Sequence, residues 1–311
     1  MTGPRLIASA DDFGLTDGVD AGIVAAVAAG SITAVGVMAN LVHPPALAAL
    51  LRVRPGVSIG VHLNLTTGAP VSPPASVPSL VGPDGEFLPL ATLTRRALSR
   101  ALRRGDVARE FAAQVAEVRR LGAHVDHLDS HEHVHLLPGV FAAVIALAHR
   151  AGVPRVRSHR PRILGSVADT LRYYARHPRR VATHLAKRAF AWRLHAAGVA
   201  TPDGMVAPSL LARPPAGGPL GEWRAIASAL PVGTWELVTH PADLARTAGS
   251  TDAARLGELV ERRAAELAAL VDPGFPSMIA AAGVTLVPFT AVPVRADGAS
   301  VAQEDYAARR A

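Results

Sequence analysis

Residues 123–138 read Ala-His-Val-Asp-His-Leu-Asp-Ser-His-Glu-His-Val-His-Leu-Leu-Pro, and they decide how the rest of the chain is interpreted. The first six residues alternate in polarity, which predicts a β-strand. Four of the thirteen histidines lie within residues 127–135, spaced two or four apart. Imidazole and carboxylate groups are the usual ligands of a divalent metal where thiolates are absent. The stretch therefore predicts a strand that leads into a metal-binding loop.

The segment His131–His135 also matches H-E-x-x-H, the zinc-protease signature, in which both histidines share one face of a helix. The local sequence favours a loop instead. A predicted strand precedes the motif, and Pro138 favours the first turn of a new helix, which we expect over 139–150. We therefore expect the protease match to be accidental. A His-rich surface loop without a site is the other interpretation of the segment taken alone.

Composition indicates a globular protein. The chain has 311 residues, of which half are apolar and 18% are charged, enough for one barrel or two ordinary domains. It contains no apolar run of about 18 residues, and its first residues do not resemble a secretory signal. We therefore expect a cytoplasmic protein. The absence of cysteine excludes disulfides, thiolate metal sites and a cysteine nucleophile.

Short apolar strands alternate with helices along the chain, which predicts a parallel sheet. About seven such units favour an irregular TIM-like (β/α) barrel. We expect a single barrel domain over residues 1–290, with an inserted lid loop at 68–105, a basic helical insertion at 160–221 and a peripheral tail at 291–311. The predicted strands are 6–10, 33–39, 57–61, 123–128, 153–157, 234–239 and 284–287.

Active sites of such barrels lie where the strands end. Asp11 and Asp12 follow the first predicted strand, and His62 ends the third. His131 follows the fourth strand and His240 ends a late one. Each of these residues also has a purely structural explanation. An acid can cap a helix, and a histidine can be a hydrogen-bonded residue of the core. Four such coincidences at one end of a sheet are less expected than one shared pocket.

Four segments resemble the YdjC/ChbG-like carbohydrate deacetylases, a group that includes the hopanoid-biosynthesis deacetylases. These segments are Asp11–Gly14, Gly60–Thr66, His127–Pro138 and Glu236–Pro241. They occur in the right order and cover most of the body, and the resemblance is weakest over 161–221. The resemblance implies a hydrolase that removes the acetyl group from an N-acetylated sugar, in an oligosaccharide or glycolipid of the N-acetylglucosamine type.

The same resemblance implies roles for individual residues. Asp12, His62 and His131 resemble the metal ligands. Asp11 resembles the base that takes a proton from metal-bound water, and His240 the acid that protonates the departing amine. Other polar residues are implied to support the ligands or to contact substrate: Asn64, Asp129, His133 and His135.

Elementary chemistry agrees with this division. A divalent ion lowers the pKa of its water and stabilises the oxyanion, and three protein ligands leave a position open. Two adjacent acids cannot easily chelate from one backbone position, and a histidine can protonate a basic leaving amine near neutral pH. The resemblance implies Mg²⁺, whereas two histidines and an aspartate equally suit Zn²⁺.

The net charge of +7 is concentrated in one segment. Residues 155–195 contain eleven Lys and Arg and one acid, Asp169, which leaves 21 basic and 24 acidic residues elsewhere. Solvated helices explain this segment most simply. Nucleic-acid binding is disfavoured because no binding motif is present. Peripheral contact with an anionic membrane surface, such as the inner face of a membrane, is the third interpretation.

Two other classes of function stay open at this stage. One is a non-catalytic sugar- or lipid-binding protein that retains the pocket, and the other is a different metallohydrolase, a phosphoesterase or a peptidase. The pair Asp11 and Asp12 favours an enzyme, because a binding module has no use for a base beside a ligand. The resemblance also makes a homodimer possible.

Overall fold

The computed structural model describes residues 3–213, 215–247, 255–256 and 260–294. Its parallel strands form one sheet, and they are β1 (Arg5–Phe13), β2 (Ala34–Val37), β3 (Ser58–Leu63), β4 (Val125–Ser130), β5 (Gly204–Val206), β6 (Thr234–Thr239) and β7 (Thr285–Leu286). The order across the sheet is β4-β3-β2-β1-β6-β5, and β7 pairs with the first residues of β1. The predicted α/β class with parallel strands is confirmed.

Helices follow most strands, as the alternating pattern predicts. They are α1 (Asp17–Ala28), α2 (Pro44–Val53), α3 (Leu90–Leu98), α4 (Arg104–Arg120), α5 (Val140–Arg150), α6 (Val167–Arg176), α7 (Arg179–Ala196), α8 (Gly218–Ala229), α9 (Leu244–Thr247), α10 (Val260–Leu270) and α11 (Gly274–Ala281). Thr16 caps α1 by accepting the backbone N–H of Val19. The sequence also predicts a helix over about 252–270, and the first residues of that range lie outside the described part of the chain. In the described part of the chain, no helix combines the length and the apolar character needed to cross a membrane.

The named strands form an open half-barrel rather than a closed barrel. Among the described residues, the two sheet edges, β4 and β5, are connected by single bridges through residues 155–161. The strand predicted at 153–157 is therefore wrong as a regular strand. Pro154 lies within it and Pro161 follows it, and proline cannot donate to a ladder. The sixth strand of the sheet path is instead β5, which lies inside the segment 160–221 predicted as an insertion.

The segment 68–105, predicted as a lid loop, contains the unpredicted helix α3. This helix buries Leu93 and Ala97 against the body. Two buried acids of α4, Asp106 and Glu110, accept backbone N–H bonds from the rest of the segment. The lid role and the division into domains stay predictions. Of the predicted tail 291–311, residues 295–311 lie outside the described part.

The interior face of the sheet is layered from apolar to polar. Alternate residues of β1, Ile7, Ser9 and Asp11, share that face because side chains alternate along a strand. Ile7 packs in a small cluster with Phe289, whereas Ser9 bonds to Glu236. The other face of β1 packs against the main hydrophobic core. This layering places the polar site at the carboxyl ends of the strands.

Candidate metal centre and active site

The end of β1 is irregular, and the irregularity positions two adjacent acids. The register against β2 shifts between Ala10 and Phe13. Asp12 takes a left-handed backbone conformation with φ 72°. A regular strand would send the side chains of Asp11 and Asp12 to opposite faces. The shift lets both buried carboxylates reach partners at the same edge, and a left-handed non-glycine residue costs roughly 1–3 kcal/mol.

Asp12, His62 and His131 converge as the sequence predicts. Asp12 Oδ1 lies 3.4 Å from His62 Nε2 and 2.9 Å from His131 Nδ1. One ligand atom from each residue lies within 4.8 Å of the others. One carboxylate oxygen and two imidazole nitrogens are a donor set that suits a divalent cation and leaves coordination positions open. The three residues therefore form a candidate metal centre.

The loop after β4 presents His131 without an α-helix. Residues 131–136 form a 3-10 segment in which Glu132 and His133 have φ of 48° and 56°. The hydroxyl of Ser130 contacts His135 Nδ1 and ties the loop to the strand end. The zinc-protease geometry needs its two histidines on one face of an α-helix. The prediction that this motif lies on a loop after the strand and not on an α-helix is confirmed. That the match is accidental stays a prediction.

Asp129 lies against the second ring nitrogen of His62. Asp129 Oδ2 is 2.9 Å from His62 Nδ1. Below this pair lies Gly36, where a Cβ would stand 2.8 Å from Asp129 Oδ2 and 3.1 Å from His62 Nδ1. Only glycine allows this approach. A carboxylate at that nitrogen fixes the orientation and tautomer of a ligating histidine.

Sequence reasoning missed Arg157, the buried cation at the centre of the site. Its guanidinium donates to Asp11 Oδ2 at 2.6 Å and to Asp11 Oδ1 at 2.7 Å, and its Nε donates to Glu236 Oε1 at 2.8 Å. Its Nη2 also lies 3.0 Å from Asp129 Oδ2. Burial opposes ionisation of Asp11, but the Arg157 guanidinium outweighs burial and holds the pKa of Asp11 well below its usual range.

Arg263 is a second missed cation. This buried residue of α10 donates from Nη2 to Asp12 Oδ2 at 2.7 Å, so only the other oxygen faces the histidines. Burial opposes ionisation of Asp12, but hydrogen bonds from His131 and His62 hold its pKa well below the ordinary value. Burial likewise disfavours charge on His62, yet Asp129 and Asp11 raise its pKa to about 10. A metal ion binds the neutral imidazole, so metal binding at His62 competes with protonation.

His240 lines a cavity of about 430 Å³ beside the metal centre. Arg263 lies in the same wall, which connects the cavity to Asp12. The backbone N–H of His240 donates to Glu266 Oε2 at 2.7 Å, which fixes the residue after β6. Other residues that line the cavity are Ala207, Pro208, Ser209, Glu222, Val238 and Arg262.

Asn64 acts within its own turn. Its carbonyl oxygen accepts the backbone N–H groups of Thr66 and Thr67, and its amide donates to Asn40 Oδ1 at 3.0 Å. These bonds shape the chain directly after β3. Asn64 thereby supports the strand end that carries His62.

The remaining histidines of the motif lie behind the metal centre. His133 Nε2 is 3.1 Å from Lys187 Nζ, and the His135 ring packs 4.0 Å from that of His159. Burial and then Lys187 lower the pKa of His133 to about 3. His127 points deeper into the body and stacks on Phe289 at 4.0 Å. Two groups of described residues could hold a metal ion, namely Asp12, His62 and His131, and Asp11, His62 and Asp129, and none of these rings belongs to either.

The fold is a parallel half-barrel, and carboxylates and histidines meet at its strand ends. These two features define the protein as an α/β protein with a candidate metal site. A family model described as YdjC-like protein matches residues 5–281. The chain therefore belongs to the YdjC-like family, and the resemblance in the sequence is confirmed.

Curated relatives carry deacetylase names. A carbohydrate deacetylase of Geobacillus stearothermophilus is 42% identical over 165 residues, which cover 52% of this chain and 63% of that protein. A mouse carbohydrate deacetylase is 37% identical over 171 residues, 53% of each chain. A chitooligosaccharide deacetylase of Serratia marcescens is 37% identical over 150 residues, 48% of this chain and 57% of that protein. The chain thus matches less than two thirds of the length of these relatives.

A solved structure shares the fold. It is an Enterococcus faecalis V583 protein provisionally described as a cellobiose-phosphate cleavage protein. The TM-score is 0.71 at 22% identity, with 93% of this chain and 99% of that chain covered. At this identity the likeness supports the architecture alone.

Proposed function

We propose that the protein is a metal-dependent carbohydrate deacetylase that hydrolyses the N-acetyl group of an N-acetylglucosamine-type saccharide or glycolipid. The observation that carries the proposal is the convergence of Asp12, His62 and His131 directly beside the ionised Asp11. Membership of a family whose curated relatives include carbohydrate deacetylases supports the same chemistry.

Asp12, His62 and His131 would hold one divalent cation. The donor set suits Mg²⁺ or Zn²⁺, and resemblance favours Mg²⁺. When bound, such an ion polarises the amide carbonyl and makes water a better nucleophile at neutral pH. The protein's own contribution is the fixed geometry, in which Asp129 orients His62 and Arg263 restrains Asp12.

Asp11 would accept the proton of the attacking water. Its pairing with Arg157 keeps the carboxylate ionised and fixes both oxygens. A low pKa weakens a base, so the pairing trades basicity for orientation. Fixed geometry contributes much of the rate in such sites. Arg157 therefore acts through Asp11 as a positioning residue.

His240 would donate a proton to the departing amine. It lines a cavity whose wall includes Arg263, the hydrogen-bond partner of Asp12, and this supports a proton donor close to the candidate metal centre. The cavity volume of about 430 Å³ is within the range of small-ligand sites. His133 and His135 would support the loop that carries His131, as their buried contacts suggest.

Acetate release from a panel of N-acetylglucosamine-containing saccharides tests the proposal. We expect release that chelator abolishes and that added Mg²⁺ or Zn²⁺ restores. Asp11→Asn should abolish turnover and leave metal content nearly unchanged, whereas His131→Ala should lose metal. Saccharide binding by calorimetry without any acetate release would favour the binding-protein alternative. Loss of metal in Asp11→Asn would mean that the two aspartates have exchanged roles.

The oligomeric state and the location of the protein also stay proposals. The homodimer and the cytoplasmic location rest on resemblance and composition.

A further inference from the structure

Helices α6 and α7 expose an unusual amount of apolar surface. The described residues include ten large apolar side chains that are exposed, and five of them lie between 167 and 192. They are Val167 (78% exposed), Leu171 (66%), Val181 (38%), Leu185 (62%) and Trp192 (68%). Exposed apolar residues scattered singly need no explanation, but such a concentration indicates an interaction surface.

Three of these side chains form one line along α7. Val181, Leu185 and Trp192 fall within an arc of about 40° because an α-helix has 3.6 residues per turn. The exposed residues Ala189 and Ala196 extend the same side of the helix. We call this line of five residues the apolar stripe. Over its 18 residues the helix is about 27 Å long.

The other face of α7 is fixed to the body. His184, Lys187, Phe190 and Leu194 are buried there. Phe190 packs 4.4 Å from the ring of His135 and 4.6 Å from that of Phe141. The helix therefore carries apolar side chains on two faces, one buried against the body and one exposed to solvent.

Arginines border the apolar stripe. Arg188 and Arg193 flank it and are exposed, and Arg179 and Arg176 are exposed nearby. No Asp or Glu occurs from residue 170 to 195, and the preceding acid, Asp169, pairs with Arg172. This face therefore combines apolar side chains with positive charge that no acid of residues 170–195 offsets.

We propose that the apolar stripe of α7 and its flanking arginines, together with the exposed face of α6, dock the protein on an anionic membrane surface. Apolar side chains would enter the headgroup boundary, while arginines remain among the anionic headgroups. Trp192 suits such an interface because its ring is apolar and its N–H is polar. Helices lying in this way do not cross the bilayer.

Charge favours lipid over a second copy of the chain. A twofold contact through this face would bring the same arginines of two molecules together, which is unfavourable. Nucleic acid would pair with the arginines but leave Val181 and Leu185 without an apolar partner. An anionic bilayer satisfies both parts of the surface.

The docked helix forms a wall of the site. On its buried side, Lys187 Nζ lies 3.1 Å from His133 Nε2, in the loop of His131. Arg180 and Lys187 also line a cavity of about 200 Å³ together with Ser209, a residue that also lines the His240 cavity. If the proposed deacetylase function holds, docking presents a sugar at the bilayer surface to this side of the site.

Sedimentation with vesicles tests the docking directly. The full-length protein is mixed with vesicles of phosphatidylcholine alone or of phosphatidylcholine with phosphatidylglycerol. We expect binding to the anionic vesicles that weakens with salt. Arg188→Ala should reduce partitioning roughly fivefold, the usual effect of one cation at an anionic surface. Leu185→Glu should reduce it at least about tenfold, since it removes an apolar contact and adds a repelled charge.

Leu98→Glu is the matched control, because Leu98 is 69% exposed and belongs to α3, a helix outside the proposed docking surface. It should bind vesicles like the unaltered protein, and circular dichroism should show both glutamate variants folded. Equal, weak binding to both vesicle types would overturn the proposal, as would equal binding by the Leu185→Glu and Leu98→Glu variants. Dissociation of a dimer by Leu185→Glu, without vesicle binding in the unaltered protein, would also overturn it in favour of self-association.

Tryptophan fluorescence gives a second readout that is independent of deacetylation. The chain has three tryptophans, of which Trp223 and Trp235 are buried and Trp192 is exposed. Anionic vesicles should shift the emission to the blue, and Trp192→Phe should abolish the shift. An unchanged spectrum for the unaltered protein would contradict insertion. Failure of acetate release would leave this result untouched, so the two proposals fail separately.

Discussion

The two terminal nitrogens of Arg157 bond to the two oxygens of Asp11, at 2.6 and 2.7 Å, although the residues are 146 positions apart. Both side chains are buried, so the pair is desolvated. A bidentate pair of this kind specifies orientation as well as charge. It joins the end of β1 to the segment that bridges the open edge of the half-barrel.

Arg157→Lys should retain the charge and lose the planar fork. We expect acetate release to fall on the order of 10- to 100-fold, since small misplacements of a reacting group have effects of this size. Metal content should stay near that of the unaltered protein. Arg172→Lys is the control, because Arg172 forms an exposed pair with Asp169. Equal activity of the two variants would show that the fork at Asp11 has no role.

Asp129→Asn should weaken metal binding by about 10- to 100-fold, because residues that orient a ligating histidine commonly have effects of this size. The change keeps the shape of the side chain and removes the charge beside His62 Nδ1. Titration with Zn²⁺ or Mg²⁺ measures the affinity. Asp126→Asn provides the comparison, since Asp126 bonds to His127 outside the candidate ligand groups. Similar affinities in both variants would count against the role of Asp129.

Gly36→Ala should destabilise the protein and displace the His62–Asp129 pair. The added Cβ would stand 2.8 Å from Asp129 Oδ2, so either β2 or the His62–Asp129 pair must move. We expect a loss of about 1–3 kcal/mol in the free energy of unfolding, together with weaker metal binding. Gly56→Ala offers the same chemical change where nothing lies within 4 Å of the new atom. Denaturant unfolding measures the free energy of unfolding of both variants. Equal values would contradict the close approach of Gly36 to the His62–Asp129 pair.

Asp20 should make stability depend on pH. Burial raises its pKa from 3.8 to about 6, against the backbone N–H of Gly14 that it accepts at 2.5 Å. The folded state therefore holds this proton more tightly than the unfolded state. The resulting stabilisation is fully present below about pH 4 and is lost as pH rises through 6, a change of at most about 3 kcal/mol. Asp20→Asn should flatten the unfolding free energy over this window, and an unaltered slope would contradict the assignment.

Much of the site was predictable because its residues occur where strands end. Asp12, His62 and His131 come from three strands of one parallel sheet, and parallel strands bring their carboxyl ends to one edge. The histidine-rich loop also carried its own signal in sequence. The conformation of Asp12 did not, because a register shift depends on the pairing of two strands.

The buried cations were not predictable from their own neighbourhoods. Arg157 belongs to a segment whose other basic residues are mostly exposed, so its burial has no local signature. Arg263 reaches Asp12 from 251 positions away. The available signal was Glu236, a charged residue in the middle of a buried strand. A buried charge requires a partner of opposite charge.

Barrel closure was overestimated for a local reason. Prolines stand beside and within the segment 155–161, and in the described part of the chain the segment makes isolated bridges to its neighbours rather than a ladder. A pattern of polarity does not record missing N–H donors. The prediction of β/α alternation was therefore more reliable than the prediction of an irregular TIM-like barrel, of which the structure has the open, half-barrel form.

The left-handed backbone of Asp12 restricts how this position can be studied or changed. Aspartate, asparagine and glycine accept such a conformation far more readily than other residues. Asp12→Asn therefore removes a charge and leaves the chain path intact, whereas Asp12→Ala also disturbs the turn that sets Asp11. Alanine substitution of Asp12 would therefore report a defect of both carboxylates as if it belonged to one. Few residue types can replace Asp12 without changing the backbone.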